Sequence, residues 1–331
     1  MRGALGDGMS RWLLRAVGLL LMATALALAM SRAPDLPVQG LVARWAPPPS
    51  DFIDLRGQLV HVRDEGPRQD PLPIVLIHGT SASLHTWQGW AAGLRAQRRV
   101  ISFDLPAFGL TGPFSGTYAA QAYSGDAYAR FVIDLLDALK LPRVVLGGNS
   151  LGGEVAWRVA SLAPQRVERL ILVDSAGYPF DPQSVPIGFT LASVPMLNRL
   201  TDWMLPRGIV ESSVRDVYGD PSKVSPALVD RYFELTLREG NRRALVQRLA
   251  AQRADAVRYD NNRVRMKALR LPVLVLWGGR DRLIPLHVGR QIAADVPGSR
   301  LVVFDALGHV PHEEDPVATL VPVREFLSAA P

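Results

Sequence analysis

The chain has 331 residues, 48% of them hydrophobic and 21% charged, with a formal net charge of +6. That balance fits a globular chain and not a disordered one, and no Lys/Arg-rich block interleaved with aromatics is present to hold nucleic acid. There is no cysteine, which excludes disulfides, thiolate metal sites and a cysteine nucleophile.

Residues 1–33 stand apart. Arg2, Arg11 and Arg15 precede an apolar stretch, residues 16–30, interrupted by Thr24 alone. A positive flank followed by an apolar core is the pattern of a secretory signal peptide or an uncleaved membrane anchor, with Ala27-Leu28-Ala29 as a cleavage motif. The run is shorter than the roughly 20 residues of a comfortable span. The expected location is at, or exported across, the cytoplasmic membrane, with this segment as the membrane partner. Residues 34–50, with Pro47-Pro48-Pro49, read as an extended proline-rich linker.

From residue 51 strands and helices alternate. Residues 52–55 and 58–63 form two short strands around Arg56-Gly57. Strands follow at 74–77 and 100–103, with a helix over 87–95 between them. Residues 118–139 carry helical periodicity, with Ala122, Phe131, Leu135 and Leu139 among the apolar positions. Further strands are expected at 144–146, 170–173, 273–276 and 301–304, and further helices at 151–161, near 286–294 and over 317–327. Between 175 and 266 the alternation stops. Ser225-Pro226 starts a helix there, Leu228, Tyr232 and Leu235 form its apolar face, and Gly240 stops it. The pattern predicts an α/β fold: a mostly parallel sheet covered on both faces, its core in two parts (51–174 and 267–331), with a helical cap inserted over 175–266.

The chemistry-bearing stretch is Val144-Val145-Leu146-Gly147-Gly148-Asn149-Ser150-Leu151-Gly152-Gly153-Glu154. It reads as strand, tight turn and helix with Ser150 at the apex. A serine there sits in sparsely populated backbone space, and side chains at the flanking glycines would collide with the crossing strand and helix. A serine hydroxyl needs a base and a group that orients the base. Asp281 follows the 273–276 strand, in Gly278-Gly279-Arg280-Asp281, and His309 follows the 301–304 strand, in Leu307-Gly308-His309. The rival acid is Asp174, after the strand that follows the serine turn. The rival base is His312, in a run with Glu313, Glu314 and Asp315 that reads as a solvated helix start. An oxyanion would be held by the backbone N–H groups of Leu151 and of Thr80, which follows His78-Gly79.

These motifs, together with Asp104-Leu105-Pro106-Ala107-Phe108-Gly109, resemble the α/β-hydrolase superfamily from about residue 52 to 327, specifically its capped serine esterase or lipase-like branch. The chain is also similar to the hydrolases of aromatic meta-cleavage products, which cut C–C bonds. The resemblance implies the α/β-hydrolase fold, a nucleophile elbow at Ser150 and the chain order Ser, acid, His. Two departures stand out. Ala107 takes a place where relatives often have glycine, and Val310-Pro311-His312 follows His309 where the C–C hydrolases have a Trp-containing segment.

The expected function is cleavage of apolar acyl or aryl esters, with a small-molecule ester as partner and no metal or organic cofactor. Phe189, Met196, Leu197, Trp203 and Met204 are the candidate apolar substrate contacts of the cap. Residues 242–267 hold eight Lys/Arg against two Asp, which reads as a solvated face or a contact for anionic lipid headgroups. The alternatives are C–C hydrolysis of a vinylogous diketone acid, and a non-catalytic receptor that keeps the fold without turnover.

Overall fold

The computed structural model describes residues 3–194, 203–256 and 259–329. Eight strands form one sheet: β1 Ser50–Leu55, β2 Gln58–Glu65, β3 Ile74–Ile77, β4 Val100–Phe103, β5 Val144–Asn149, β6 Val167–Val173, β7 Val273–Gly278 and β8 Arg300–Phe304. Their order is β1-β2-β4-β3-β5-β6-β7-β8. β1 and β2 pair antiparallel, as do β2 and β4, and every other pairing is parallel. The helices are α1 Gly3–Met30, α2 Val38–Trp45, α3 Gln88–Leu94, α4 Gly125–Ala138, α5 Leu151–Leu162, α6 Ile187–Ser193, α7 Arg207–Val217, α8 Pro226–Thr236, α9 Asn241–Ala256, α10 Tyr259–Lys267, α11 Leu286–Asp295, α12 Pro311–Glu314 and α13 Pro316–Ser328.

The period-2 pattern of the strands divides the core in two. Val75, Ile77, Leu146, Leu170, Leu172 and Val275 face α4, α5 and α11. Their alternating neighbours Ile74, Leu76, Val145, Ile171, Leu274 and Leu276 face α3 and α13, where Trp87, Trp90 and Leu320 complete the layer. Each such buried side chain contributes about 1.5–3 kcal/mol, and both faces of the central strands have to be apolar for this. Helices α6 to α10 lie between β6 and β7, where the alternation was expected to stop. Ser225 caps α8 as expected, its hydroxyl accepting from Leu228 N–H.

Three expectations need correction. Residues 34–50 are no free linker: α2 packs on α8, and its Leu41 is buried with Leu110 and Leu235. The helix expected over 118–139 begins at Gly125, because Ser124 caps it by accepting from Ala127 N–H. Tyr118 stays in the preceding turn, donating to Asp134. The run 310–315 is no solvated helix start either, since His312 and Glu314 are buried.

Helix α1 spans 28 residues and leaves Trp12, Leu13, Leu14 and Leu19–Met22 exposed. Among the described residues no helix is long and apolar enough to cross a membrane.

Candidate active site

Strand β5 delivers Ser150 to the carboxyl edge of the sheet. Ser150 takes φ 54° and ψ −117°, a conformation that L-residues seldom adopt. It is held there by its own N–H, which donates to Val173 O at 3.0 Å, and by its carbonyl, which accepts from Glu154 and Ala176 N–H. The flanking glycines are steric necessities. A Cβ on Gly148 would lie 2.1 Å from Gly152 O, and one on Gly152 would lie 2.1 Å from Ile77 O.

Loops after β7 and β8 bring Asp281 and His309 together. His309 Nδ1 donates to Asp281 Oδ2 at 2.7 Å, and both residues are buried. Asp281 Oδ1 accepts from Leu283 and Ile284 N–H at 2.8 and 2.9 Å, which fixes the carboxylate plane. The backbone of His309 is pinned at both ends: its N–H donates to Val217 O at 2.8 Å, and its carbonyl accepts from Asn149 Nδ2 at 2.9 Å. Ser150 and His309 line one cavity of about 410 Å³ beneath α6, α7 and α9.

Thr80 and Leu151 line the same cavity. Leu151 opens α5, so its N–H has no intrahelical acceptor. The Thr80 loop abuts the serine, since a Cβ on Gly79 would stand 3.1 Å from Ser150 Cβ. His78 orders this loop. Its Nδ1 donates to Gly79 O, its Nε2 accepts from Leu105 N–H, and burial holds its pKa below the ordinary value. Ala107, noted above as a departure, takes φ 84°, the left-handed region that suits the glycine of relatives.

The rivals separate on geometry. Asp174 is buried beside the pair, and its Oδ1 accepts from Gly278 N–H at 2.9 Å. Its Oδ2 has no hydrogen-bond partner. Burial and the charge of Asp281 push its pKa well above the carboxylate range, and it is Asp281, not Asp174, that bonds the imidazole. Atoms of Asp174, Asp281 and His309 all lie within 4.8 Å of one another. His312 stacks on Trp87 with ring centroids 4.0 Å apart, and its Nε2 meets Thr86 Oγ1 at 3.0 Å. It does not line the cavity, and burial holds its pKa well below the ordinary value.

Of the candidate substrate contacts, Phe189 lines the cavity. Trp203, which is 66% exposed, and Met204 are not among the described residues that line it. Met196 and Leu197 lie outside the described residues. Ile209, Val214, Leu245 and Leu249 supply the apolar wall instead. Residues 242–267 also depart from a purely solvated face, because Arg242 and Arg248 are buried and line the cavity.

Sequence reading missed Asn149 and Glu314. Asn149 was visible as the residue before the serine, yet nothing local signals its bond across to the His309 loop. Glu314 accepts from Gly308 N–H, Gly219 N–H and Asp220 N–H at 2.9, 2.9 and 2.8 Å, tying the histidine loop to the cap.

With this geometry, the chain belongs to the α/β-hydrolase fold family, which matches residues 73–316. It is 30% identical over 266 residues to a 2-hydroxy-6-oxo-2,4-heptadienoate hydrolase of Pseudomonas putida, covering 78% of this chain and 89% of that one. It is 31% identical over 239 residues to a dihydrolipoyllysine-residue acetyltransferase component of an acetoin cleaving system, also from Pseudomonas putida. That match covers 72% of this chain, which spans 58% of that relative's length. Among solved structures, a membrane phospholipase A described as a bacterial virulence factor superposes with a TM-score of 0.67 at 22% identity. The match covers 98% of this chain and 97% of that one.

Proposed function

We propose that the protein is a serine hydrolase that cleaves carboxylic esters of apolar acyl or aryl groups. The observation that carries this reading is the Asp281–His309 hydrogen bond at 2.7 Å beside a cavity that also holds Ser150 and an apolar wall. Ser150 Oγ attacks the ester carbonyl as His309 Nε2 takes its proton, while Asp281 keeps the proton on Nδ1 and offsets the imidazolium charge. The Leu151 and Thr80 N–H groups receive the oxyanion. His309 then gives its proton to the departing alcohol. Water, deprotonated by the same nitrogen, attacks the acyl-enzyme and releases the acid. Every step uses side chains and backbone of this chain.

A second reading is favoured by the 30% identity to a heptadienoate hydrolase, namely C–C bond hydrolysis of a diketone acid. A panel of p-nitrophenyl esters with one ring-fission dienoate, assayed on one preparation, decides between them. Each buried methylene contributes about 0.8 kcal/mol, so kcat/KM should rise about tenfold or more per two-carbon step from acetate to medium chains, then decline as the chain outgrows the cavity. Preference for acetate throughout would refute the apolar pocket, and fast dienoate cleavage with poor ester turnover would establish the second reading.

The same proposal puts the protein at a membrane through α1, whose Trp12, Leu13, Leu14 and Leu20 are all more than 60% exposed. Fractionation of tagged full-length protein should recover it with membranes or beyond them. Recovery wholly in the soluble cytoplasmic fraction with residues 1–33 uncleaved would sink this.

A further inference from the structure

The wall opposite the triad is apolar but not neutral. Among the described residues lining the cavity there are three arginines, Arg242, Arg248 and Arg253, and no aspartate or glutamate. All three come from α9. Arg253 is exposed and bonds Ser193 O, whereas Arg242 and Arg248 are 4% and 2% exposed.

Their partners do not use up their donors. Arg242 pairs with Asp35 through Nε and Nη2, and its Nη1 has no partner. Arg248 is the less satisfied. Its Nη2 reaches Glu154 Oε2 at 3.4 Å, and neither Nε nor Nη1 has a hydrogen-bond partner among the described residues. Glu154 is also shared, since its Oε1 is held by Arg158 at 2.9 Å. Among the described residues, Arg158, Arg248 and Arg265 pair there with Glu154 and Asp126, three guanidinium groups to two carboxylates. A buried cation with unfilled donors is costly, because the lost hydration is not replaced. In an enclosed apolar site the same deficit makes a strong attraction for an anion, and a guanidinium presents its donors in a fork that suits carboxylate or phosphate oxygens.

Position relates this charge to the chemistry. Glu154 N–H donates to Ser150 O, so the carboxylate that Arg248 touches stands one turn along α5 from the nucleophile. We propose that the preferred substrate is an ester carrying a second, anionic group, a carboxylate or a phosphate, which Arg248 binds with Arg242 adding to the positive field, while the apolar wall holds the chain between anion and scissile carbonyl. This rests on the ester-hydrolase reading and narrows it. An apolar pocket alone explains selection by chain length but leaves the unfilled donors of the two buried arginines, Arg242 and Arg248, without a role.

Matched substrate pairs test it. On the acyl side, p-nitrophenyl hemi-adipate is compared with p-nitrophenyl 6-methylheptanoate, in which a neutral isopropyl group replaces the carboxylate. On the alcohol side, 1-hexanoylglycerol 3-phosphate is compared with 1-hexanoylglycerol. All four are esters, so ring-fission chemistry plays no part. The wild type should favour the anionic member of one pair by about tenfold or more in kcat/KM, the scale of one hydrogen bond to a charged partner. Which pair responds identifies the source of the anion. Arg248→Met should bring that ratio to near unity, and Arg248→Lys should restore part of it. A wild-type ratio of one or below in both pairs, or a ratio unaltered in Arg248→Met, overturns the inference and leaves ester hydrolysis standing. Should Arg248→Met fail to fold, calorimetry on Ser150→Ala replaces it. Tighter binding of monoethyl adipate than of ethyl 6-methylheptanoate supports the inference, and equal or weaker binding overturns it. Full turnover by Ser150→Ala would instead overturn the hydrolase mechanism, whatever the ratios.

Discussion

Ser150→Ala should lower kcat/KM toward any ester substrate by about 10⁴-fold or more, and His309→Ala should do nearly the same. The double variant should be little worse than either alone, because nucleophile and base act as one unit. Ser150→Ala touches no core contact of the sheet and should unfold close to wild type, whereas His309→Ala leaves buried Asp281 Oδ2 without its partner and should lower the Tm somewhat. The control is His312→Gln. His312 is fully buried against Trp87, so its loss should lower the Tm while the folded fraction keeps turning over. If His312→Gln lost activity as completely as Ser150→Ala while His309→Ala kept it, the base would be His312. Initial rates corrected for folded fraction, measured on all four variants, read this directly.

Glu314→Ala should be the most damaging change outside the triad. One buried carboxylate satisfies three backbone N–H groups, two of them on Gly219 and Asp220 of the cap and the third on Gly308, the residue before His309. A buried donor such as Gly308 N–H costs about 1–3 kcal/mol when orphaned, and the half-buried Gly219 and Asp220 N–H groups cost less each, so a total of about 3–5 kcal/mol is expected. At this size that lowers the Tm by about 10 °C. The close approach of cap and histidine loop makes relaxation difficult, since a Cβ on Gly308 would lie 2.4 Å from Gly219 N. Turnover should fall as well, because the His309 N–H bond to Val217 O depends on the same register. Glu314→Gln, which turns an amide NH₂ toward at least one backbone donor, should fall between. A Glu314→Ala variant with wild-type Tm and kcat would show that the loop is held elsewhere.

What could be read from the chain beforehand depended on locality. The strands 74–77, 100–103 and 170–173 are short apolar runs bounded by polar turns, and a strand buried on both faces leaves that mark in any sequence. The serine turn was legible for a steric reason, the need for Gly148 and Gly152 where chain segments cross. Asp281 and His309 could be placed because each sits just past a strand end. Helix α2 was not legible: it is one short helix among prolines with a single buried leucine, and its partner α8 lies nearly 190 residues away, as the Trp45–Glu234 bond shows. Arg248 illustrates the same limit. Eight basic residues in 26 look solvated until tertiary packing turns two of them inward. Glu314 and His312 were misjudged for the mirror reason, since a charged run next to a proline gives no hint that Trp87 will stack on His312 or that the Gly219–Asp220 backbone will close over Glu314.

The segment that joins α1 to the sheet decides how the cap can move. Ala33 N–H donates to Trp203 O, Leu36 N–H to Leu237 O, and Glu239 N–H back to Leu36 O. Further on, Asp35 holds Arg242, and Arg44 and Trp45 hold Glu234. The chain thus crosses the cap like a bar across a door before it enters the first strand. Helix α8 and the start of α9 are fastened along that line, so the cap cannot swing away as one rigid leaf. Among the described residues those bonds do not reach α6, whose Ile187 is 48% exposed and whose Phe189 lines the cavity. The fastening begins at Arg32, just beyond Ala27-Leu28-Ala29, so removal of α1 at that motif would leave the bar in place.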